Sequence, residues 1–312
     1  MLRKFLTQVF LFLLLFSIWW RFEYQDYIAT SGKISNTIPA FPSLQAEMLK
    51  SSNRQDATSA LEEIARTLIN YLEPELAKET WDCSFLFADL LPGEADELVL
   101  TLSLPPDRGV LVLLQQQKNH YVLLYYLDNL LPLTKMDKIA LPDGREILST
   151  REEHQERTGA FSESRLIKLW TWKNNTLQVV WSDMSYWETN WLSTWQDPNS
   201  QELKWYKLIQ EAGITYQVEP RPSVIIQGRQ SYYQCPTDKV TLPSQEKFSL
   251  IKQRDIKEVY YWSDEWQRFT IGTATIPAQN DQPAQKVCIL KDMENHLESL
   301  ADNQQAYEVI GP

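Results

Sequence analysis

Glycine is scarce in this chain, with 9 residues among 312. Loops that cradle phosphate groups need glycine at fixed positions, because their backbone N–H groups must approach the ligand closely. The chain contains no Walker loop and no G-x-G-x-x-G, and it also lacks the G-x-S-x-G and H-E-x-x-H patterns of hydrolases. The sequence therefore predicts no catalytic residue through any of these motifs.

Histidine and cysteine are also rare, with three residues of each. No two histidines show the H-x-H or H-x-x-x-H spacing of zinc ligands, and no C-x-x-C is present, so we expect no metal and no organic cofactor. Cys235 and Cys288 both lie in the C-terminal part and are the first candidates for one disulfide. The alternative is that these two thiols and Cys83 all stay unpaired.

Basic residues are fewer than acidic residues. The chain has 30 Lys and Arg and 41 Asp and Glu, which gives a net charge of −11. Proteins that bind the phosphate backbone of nucleic acids normally present a basic face. No cluster of Lys and Arg interleaved with aromatic residues offsets the acidic balance. We therefore expect no nucleic-acid partner.

One long apolar run stands at the N-terminus, where residues 5–20 are interrupted by only three polar positions. At about 1.5 Å per residue, a helix of this length just crosses the hydrocarbon core of a bilayer. Arg3 and Lys4 precede the run, and Trp19 and Trp20 close it. This order predicts a single-pass anchor over residues 1–21, with a cytoplasmic N-terminus and the bulk of the chain extracytoplasmic.

A cleaved signal peptide is the main alternative to this anchor. Cleavage needs small residues directly after the run, but Arg21, Phe22, Glu23 and Tyr24 stand there. The first small-x-small site lies farther on, at residues 29–31. We therefore expect the run to be retained, and a buried core helix is the third interpretation.

The remaining chain divides by composition and periodicity. Residues 22–42 are polar and mixed, as in a linker. Apolar residues then recur at three- and four-residue spacing up to Leu72, which predicts a helical segment within residues 43–80, interrupted near Lys50–Asp56 and ended by Pro74. Residues 81–312 are the expected β-rich extracytoplasmic domain.

Short polar turns between β-branched and aromatic runs predict antiparallel hairpins in that domain. A first strand is expected at Glu97–Leu104, and hairpins are expected within residues 110–127, 166–182 and 258–276. The hairpins resemble one another in pattern but not in spacing. The fold class indicated is mainly β (α+β), with the hairpins in an irregular propeller-like or meander sheet.

Three helices are expected to interrupt or follow the hairpins. The first begins at Ser185, where a capping box with Glu188 precedes the tryptophans at positions 187, 191 and 195, four residues apart. Ser200 is the expected start of a second helix, which runs through Ala212 and ends at Gly213. The C-terminal helix is expected over residues 291–302.

Residues 88–100, Ala-Asp-Leu-Leu-Pro-Gly-Glu-Ala-Asp-Glu-Leu-Val-Leu, resemble the loop and strand of FG-GAP/VCBS-type β-propeller repeats. The resemblance implies a propeller-like fold and a role in partner binding or scaffolding. Asp89 and Asp96 match acidic positions of the calcium loop of that family, but Leu91 and Gly93 stand where ligands are expected. Two carboxylates are too few for a tight calcium site, so the loop is degenerate.

The tryptophan-rich segment is the candidate ligand site. Trp187, Trp191, Trp195 and Glu188 fall within it, and indole rings can stack on sugars, although such a stripe is also typical of core packing. We therefore expect a membrane-anchored extracytoplasmic binding or scaffold protein with a protein or carbohydrate partner. The alternatives are a carbohydrate- or cell-wall-active enzyme using Asp and Glu of residues 183–202, and an accessory subunit of a membrane complex.

Overall fold

The computed structural model describes residues 39–310 apart from positions 92, 94–95, 106, 142–143, 157–161, 198–201, 277–283, 293–295 and 302–305. The predicted anchor and most of the predicted linker lie outside these residues. Within them, the helices are all too short or too polar to cross a bilayer.

Over the described residues the fold is mainly β, with 63% strand and 14% helix, which confirms the mainly β class that the sequence predicted. Every strand pairing is antiparallel, and one sheet curls into a half-barrel that is propeller-like. The helices are α1 (Ser43–Met48), α2 (Arg54–Leu72) and α3 (Ser193–Gln196), with single 3₁₀ turns at Pro74–Leu76 and Gln245–Lys247.

The first sheet has five strands in the order β1-β5-β4-β3-β2. Their bounds are Ala40–Pro42 (β1), Asp82–Ala88 (β2), Glu97–Leu104 (β3), Arg108–Gln117 (β4) and His120–Leu130 (β5). The last residues of the predicted linker therefore form a strand, because β1 pairs with β5.

The second sheet is an eight-stranded meander from β6 to β13, in which each strand pairs with its neighbours in sequence. Its strands are Leu133–Ala140 (β6), Glu146–Glu156 (β7), Ser162–Lys173 (β8), Thr176–Leu192 (β9), Lys204–Gln217 (β10), Ser223–Pro236 (β11), Ser249–Ser263 (β12) and Arg268–Thr270 (β13). A third sheet contains Gly272–Ile276 (β14), Gln285–Asp292 (β15), His296–Ala301 (β16) and Ala306–Ile310 (β17).

The helix α2 forms where the periodicity predicted it, and its start is capped. The side chain of Asn53 accepts a hydrogen bond from the backbone N–H of Gln55, which satisfies one of the free donors of the first turn. The buried residues Ile64 and Leu68 pack against apolar side chains of β3 and β4 in one core. The chain leaves the helix before Pro74, whose ring disfavours helical geometry at the preceding residue.

The first sheet is covered on both faces. Leu100 and Val112 face α2, whereas Val99 and Leu113 contribute to a second core with Leu148 and other residues of the second sheet. Burial on both sides explains why β3 is an almost unbroken apolar run. A third core, around Trp181 and Tyr260, lies within the second sheet.

Two of the predicted hairpins are confirmed by β4 with β5 and by β8 with β9. The turn of the second hairpin has positive φ at Asn174 (54°) and Asn175 (61°), the backbone that two-residue hairpins require. The hairpin predicted within residues 258–276 forms only in part. The strand β12 pairs with β13, but β14 joins the third sheet.

The three helices predicted after Ser185 are wrong. The first falls mainly in β9, with only Ser193–Gln196 helical, and Ser200–Ala212 falls largely in β10. Four-residue spacing cannot distinguish the two structures, because residues four apart share a face in a strand as well as in a helix. The described parts of residues 291–302 belong to β15 and β16, which pair with each other, and not to a C-terminal helix.

None of the three cysteines, all of which lie within the described residues, forms a disulfide. Cys235 is buried in β11 of the second sheet, and Cys288 is buried in β15 of the third sheet. The expected bond between Cys235 and Cys288 is therefore not present in this structure.

Candidate functional site

Trp187 and Trp191 lie on the same side of β9, since they are four residues apart in an extended strand without a bulge between them. Trp191 stands opposite Tyr206 of β10, and their rings stack with 5.7 Å between centroids and 24° between planes. All three rings are half-buried. They form a partly accessible aromatic surface rather than a closed core.

Polar side chains continue this surface across the sheet. Trp187 stands opposite Gln210, which faces Gln230 of β11, which in turn faces Arg254 of β12. Residues directly opposite each other in neighbouring strands project to the same side. The sheet therefore places one tryptophan, two amides and one guanidinium in a single transverse row.

Hydrogen bonds fix the polar end of this row. The Oε1 atom of Gln230 accepts from Arg254 Nε at 2.7 Å and from Tyr232 Oη at 3.2 Å. Gln230 Nε2 donates to Gln210 Oε1 at 3.1 Å, and Gln210 Nε2 donates to the carbonyl of Met184 at 3.3 Å. These contacts hold the planar groups in fixed positions beside the indoles. We call this surface the aromatic face; it consists of Trp187, Trp191, Tyr206, Gln210, Gln230, Tyr232 and Arg254.

Glu188, which the sequence grouped with these tryptophans, lies on the opposite side of β9 and is buried. Its carboxylate accepts hydrogen bonds from Tyr186 Oη at 2.6 Å and Asn190 Nδ2 at 3.4 Å, and Lys207 Nζ lies 2.9 Å from Oε1. Burial alone would raise the pKa of Glu188, but the bonds from Tyr186, Lys207 and Asn190 lower it overall. Glu188 is therefore a paired, ionised group and cannot serve as a proton donor at neutral pH.

Trp195 is also separated from the other two tryptophans. It lies in α3 with 41% of its surface exposed, and its ring meets the buried Trp205 edge-on at 5.3 Å. Trp205 is on the Lys207 side of β10, because the two residues are two positions apart. The structure therefore brings Trp187 and Trp191 together and places Trp195 and Glu188 elsewhere.

Two other carboxylates proposed for the enzyme alternative, Asp183 and Glu202, have different partners. The buried Asp183 accepts from the backbone N–H of Met184 and lies 3.4 Å from Lys291 Nζ. Glu202 is exposed and pairs with Lys204, which lowers the pKa of Glu202. The lowered pKa of Glu202 is the opposite of what a general acid of glycoside hydrolysis needs.

In the loop that resembles a calcium site, backbone N–H groups donate hydrogen bonds to carboxylates of the protein itself. Glu97 is almost fully buried, and its Oε2 accepts the backbone N–H groups of Leu90 and Leu91 at 3.0 and 3.1 Å. Glu146 accepts the N–H of Asp89 at 2.8 Å. Burial has the largest effect on the pKa of Glu97 and raises it overall, although the hydrogen bonds from Leu90 and Leu91 lower it. Asp96 is exposed. In the described part of the chain, no group of three His, Cys, Asp or Glu residues could hold a metal ion.

The sequence did not indicate Tyr206, Gln210, Gln230 or Arg254 as partners of the two tryptophans. These four residues are distant in sequence from Trp187 or lie in the segment predicted to be helical. Only the strand register places them in one row. No regular alternation marks this part of β10, since Trp205, Lys207 and Leu208 are buried whereas Tyr206, Ile209 and Gln210 are half-buried.

Comparison with known proteins identifies no relative of this chain. No family model matches the chain, and no curated protein or solved structure shows significant similarity to it. The aromatic face must therefore be interpreted from its own chemistry.

Proposed function

We propose that this protein is a membrane-anchored extracytoplasmic binding protein, and that the aromatic face binds carbohydrate. The observation that carries the proposal is the pair of half-buried, partly accessible indoles on one side of β9, next to side chains held by hydrogen bonds. Ligand sites typically combine aromatic walls with a few fixed polar groups.

The chemistry of the face fits a sugar. An aromatic ring has a negative face, which attracts the C–H groups on the flat side of a pyranose. The amide of Gln210 and the guanidinium of Arg254 are planar groups suited to adjacent hydroxyls, and the buried amide of Gln230 holds both of them in place. Their mutual hydrogen bonds reduce the side-chain entropy that would otherwise be lost on binding.

The positions of the carboxylates near the tryptophans favour binding of carbohydrate without its hydrolysis. Glu188 is on the other side of the sheet in an ion pair with Lys207, and Asp183 lies within reach of Lys291. A retaining or inverting glycosidase needs two carboxylates across one cleft, one of them with a raised pKa. Glu188 and Glu202, whose pKa values are both lowered, do not meet this requirement.

A glycan array followed by calorimetry with the best oligosaccharide tests the ligand class. We expect Trp191→Ala and Trp187→Ala each to weaken binding by about tenfold or more, as loss of an aromatic anchor does. Trp195→Ala is the matched control, because it removes an exposed indole on the other side of the sheet. It should leave the affinity unchanged.

Thermal unfolding of each variant separates loss of the site from loss of the fold. Affinity lost in folded Trp187→Ala and Trp191→Ala, but kept in Trp195→Ala, supports the proposal. An array without binding, or equal affinity in all three variants, would overturn the assignment of carbohydrate.

The extracytoplasmic placement rests on the apolar residues 5–20 with Arg3 and Lys4 before them. Protease treatment of intact cells that express the full chain should degrade the body and spare the N-terminus. Mass analysis of the purified protein should recover the first 21 residues. Protection of the body in intact cells would refute the placement, and a chain that begins near residue 32 would refute the retained anchor.

A further inference from the structure

The strand β12 has an open edge. It pairs with β11 from Ser249 to Tyr261, but β13 covers its other side only at Tyr261–Ser263. Over residues 249–260, no strand in the described part of the chain pairs with this outer edge. An edge of this length presents a row of backbone N–H and C=O groups that can pair with another strand.

The outward-facing backbone groups can be identified. Trp262 N–H donates to the carbonyl of Pro222, at the start of β11, so the backbone groups of Trp262 point inward. These groups alternate in direction along an antiparallel strand, and the bulge near Ile251 lies beyond the segment considered. The groups of residues 253, 255, 257 and 259 therefore point outward.

The charges on this edge are self-complementary in one register. When two copies of β12 pair antiparallel about a two-fold axis at Ile256, Asp255 faces Lys257 of the other copy, and Arg254 faces Glu258. Centring the axis at residue 254, 255, 257 or 258 would instead place a charged residue opposite itself. Like charges directly opposite each other destabilise a strand pair.

The backbone agrees with the same register. Asp255 and Lys257 both point their N–H and C=O groups outward, so they would form a hydrogen-bonded pair. Ile256 would meet itself as a non-hydrogen-bonded pair, in which Cα atoms approach to about 4.5 Å. Asp255 and Lys257 are both exposed and can reach the other copy, although Asp255 Oδ1 also lies 3.5 Å from Arg229 Nε of its own subunit.

We propose that the protein forms a symmetric dimer through its β12 edge, with the two strands antiparallel and centred on Ile256. The occupant of the edge is a second copy of this chain. The two-fold axis makes every contact occur twice, as in other isologous interfaces. The proposal does not depend on the ligand of the aromatic face.

Sedimentation of the full chain in detergent micelles tests the dimer with charge swaps. We expect the wild-type protein to be dimeric. Asp255→Lys and Lys257→Asp should each create two like-charge pairs and raise the dissociation constant about tenfold or more. The double variant Asp255→Lys/Lys257→Asp restores complementary charge and should recover the dimer.

These measurements can overturn the proposal in three ways. A wild-type protein that is monomeric at roughly 100 µM would show that the edge stays unpaired between copies. A dimer that survives both single swaps would show that another surface, such as residues 5–20, makes it. Monomers in the double variant would exclude the register.

Oxidative cross-linking provides a second measurement of the register. Ile256→Cys should form a covalent dimer, because the Cα separation of such a pair falls within the range of a disulfide. Gln253→Cys is the control, since residue 253 would face residue 259 and lie roughly 20 Å from its own copy. Mapping the linked peptides by mass spectrometry distinguishes this bond from links through the native cysteines. Cross-linking of Gln253→Cys but not of Ile256→Cys would overturn the proposed axis.

Discussion

Lys207 Nζ lies 2.9 Å from Glu188 Oε1 across the β9–β10 pair, and both side chains are more than nine-tenths buried. Removing one partner of such a pair leaves a buried charge without compensation, which typically costs 3–5 kcal/mol. We therefore expect Glu188→Leu to lower the free energy of unfolding by about that amount. Urea denaturation measures the change.

The double variant Glu188→Leu/Lys207→Met tests the reason for this loss. Replacing both charges with apolar groups is often close to neutral, so the double variant should be more stable than Glu188→Leu alone. The lowered pKa of Glu188 adds a pH dependence. The contribution of Glu188 to the free energy of unfolding is complete above the ordinary pKa range of a carboxyl group. It is lost as the pH falls through the folded-state pKa of Glu188. If the stability losses of Glu188→Leu and Lys207→Met, each measured alone at neutral pH, add up to the loss of the double variant, the coupling between the two residues is contradicted.

Glu97 should have the opposite pH dependence. Its folded-state pKa is raised, chiefly by burial. Its contribution to stability is therefore complete at low pH and is lost as the pH rises through the folded-state pKa, above the ordinary 4.5. Glu97→Gln removes this titration and keeps an oxygen that can accept from Leu90 and Leu91. The melting temperature of Glu97→Gln, relative to wild type, should rise between about pH 4 and pH 7.

Asp96→Asn is the control for this prediction, because Asp96 is adjacent but exposed. Its melting temperature should follow that of wild type across the same pH series. A constant difference between Glu97→Gln and wild type would show that Glu97 does not titrate in this range.

The strand-rich class and the helix α2 were predictable because their signals are local. The periodic residues around Ile64 and Leu68 specify one buried helix face, and the turn at Asn174 and Asn175 specifies a hairpin. The tryptophan segment was ambiguous for a physical reason. A spacing of four residues puts Trp187 and Trp191 on one face in either structure, so only pairing with β8 and β10 decides between them.

The composition of the candidate site was less predictable. Trp191 meets Tyr206 because the chain turns back between β9 and β10, and Gln230 enters the row only through the β10–β11 register. Register depends on the whole sheet and not on any local motif. Glu188 was grouped with the tryptophans because it is adjacent in sequence, but adjacent residues of a strand project to opposite sides.

Gly228 and Gly213 provide a matched test of the β10–β11 register. A Cβ atom added to Gly228 would lie 2.2 Å from the carbonyl oxygen of Glu211 and 2.6 Å from Cα of Ala212. Because both atoms are backbone, the strands must shift, and we expect Gly228→Ala to cost about 1–3 kcal/mol. Gly213→Ala meets only Gln227 O, at an ordinary 3.7 Å, and should be close to neutral. Equal stability of the two variants in urea would contradict the close approach at Gly228.

Cys83 should be a slow nucleophile although its side chain is only half-buried. Burial raises its pKa to about 11, and the nearby carboxylates of Glu62 and Asp82 add to this shift. Relative to an ordinary thiol, the reactive thiolate is then about a hundredfold less populated at pH 8. Alkylation by iodoacetamide, followed on the Cys83 peptide by mass spectrometry, should be slower by a similar factor.

Alkylation of Cys83 also tests whether burial affects its pKa more than the carboxylates of Glu62 and Asp82 do. Asp82→Asn removes one of the smaller influences and should accelerate alkylation only slightly, whereas unfolding in urea removes all of them and should restore the ordinary rate. A large acceleration in folded Asp82→Asn would show that the carboxylate controls the thiol. Alkylation of the folded wild type at the rate of a free thiol would show that packing against the first core does not desolvate Cys83.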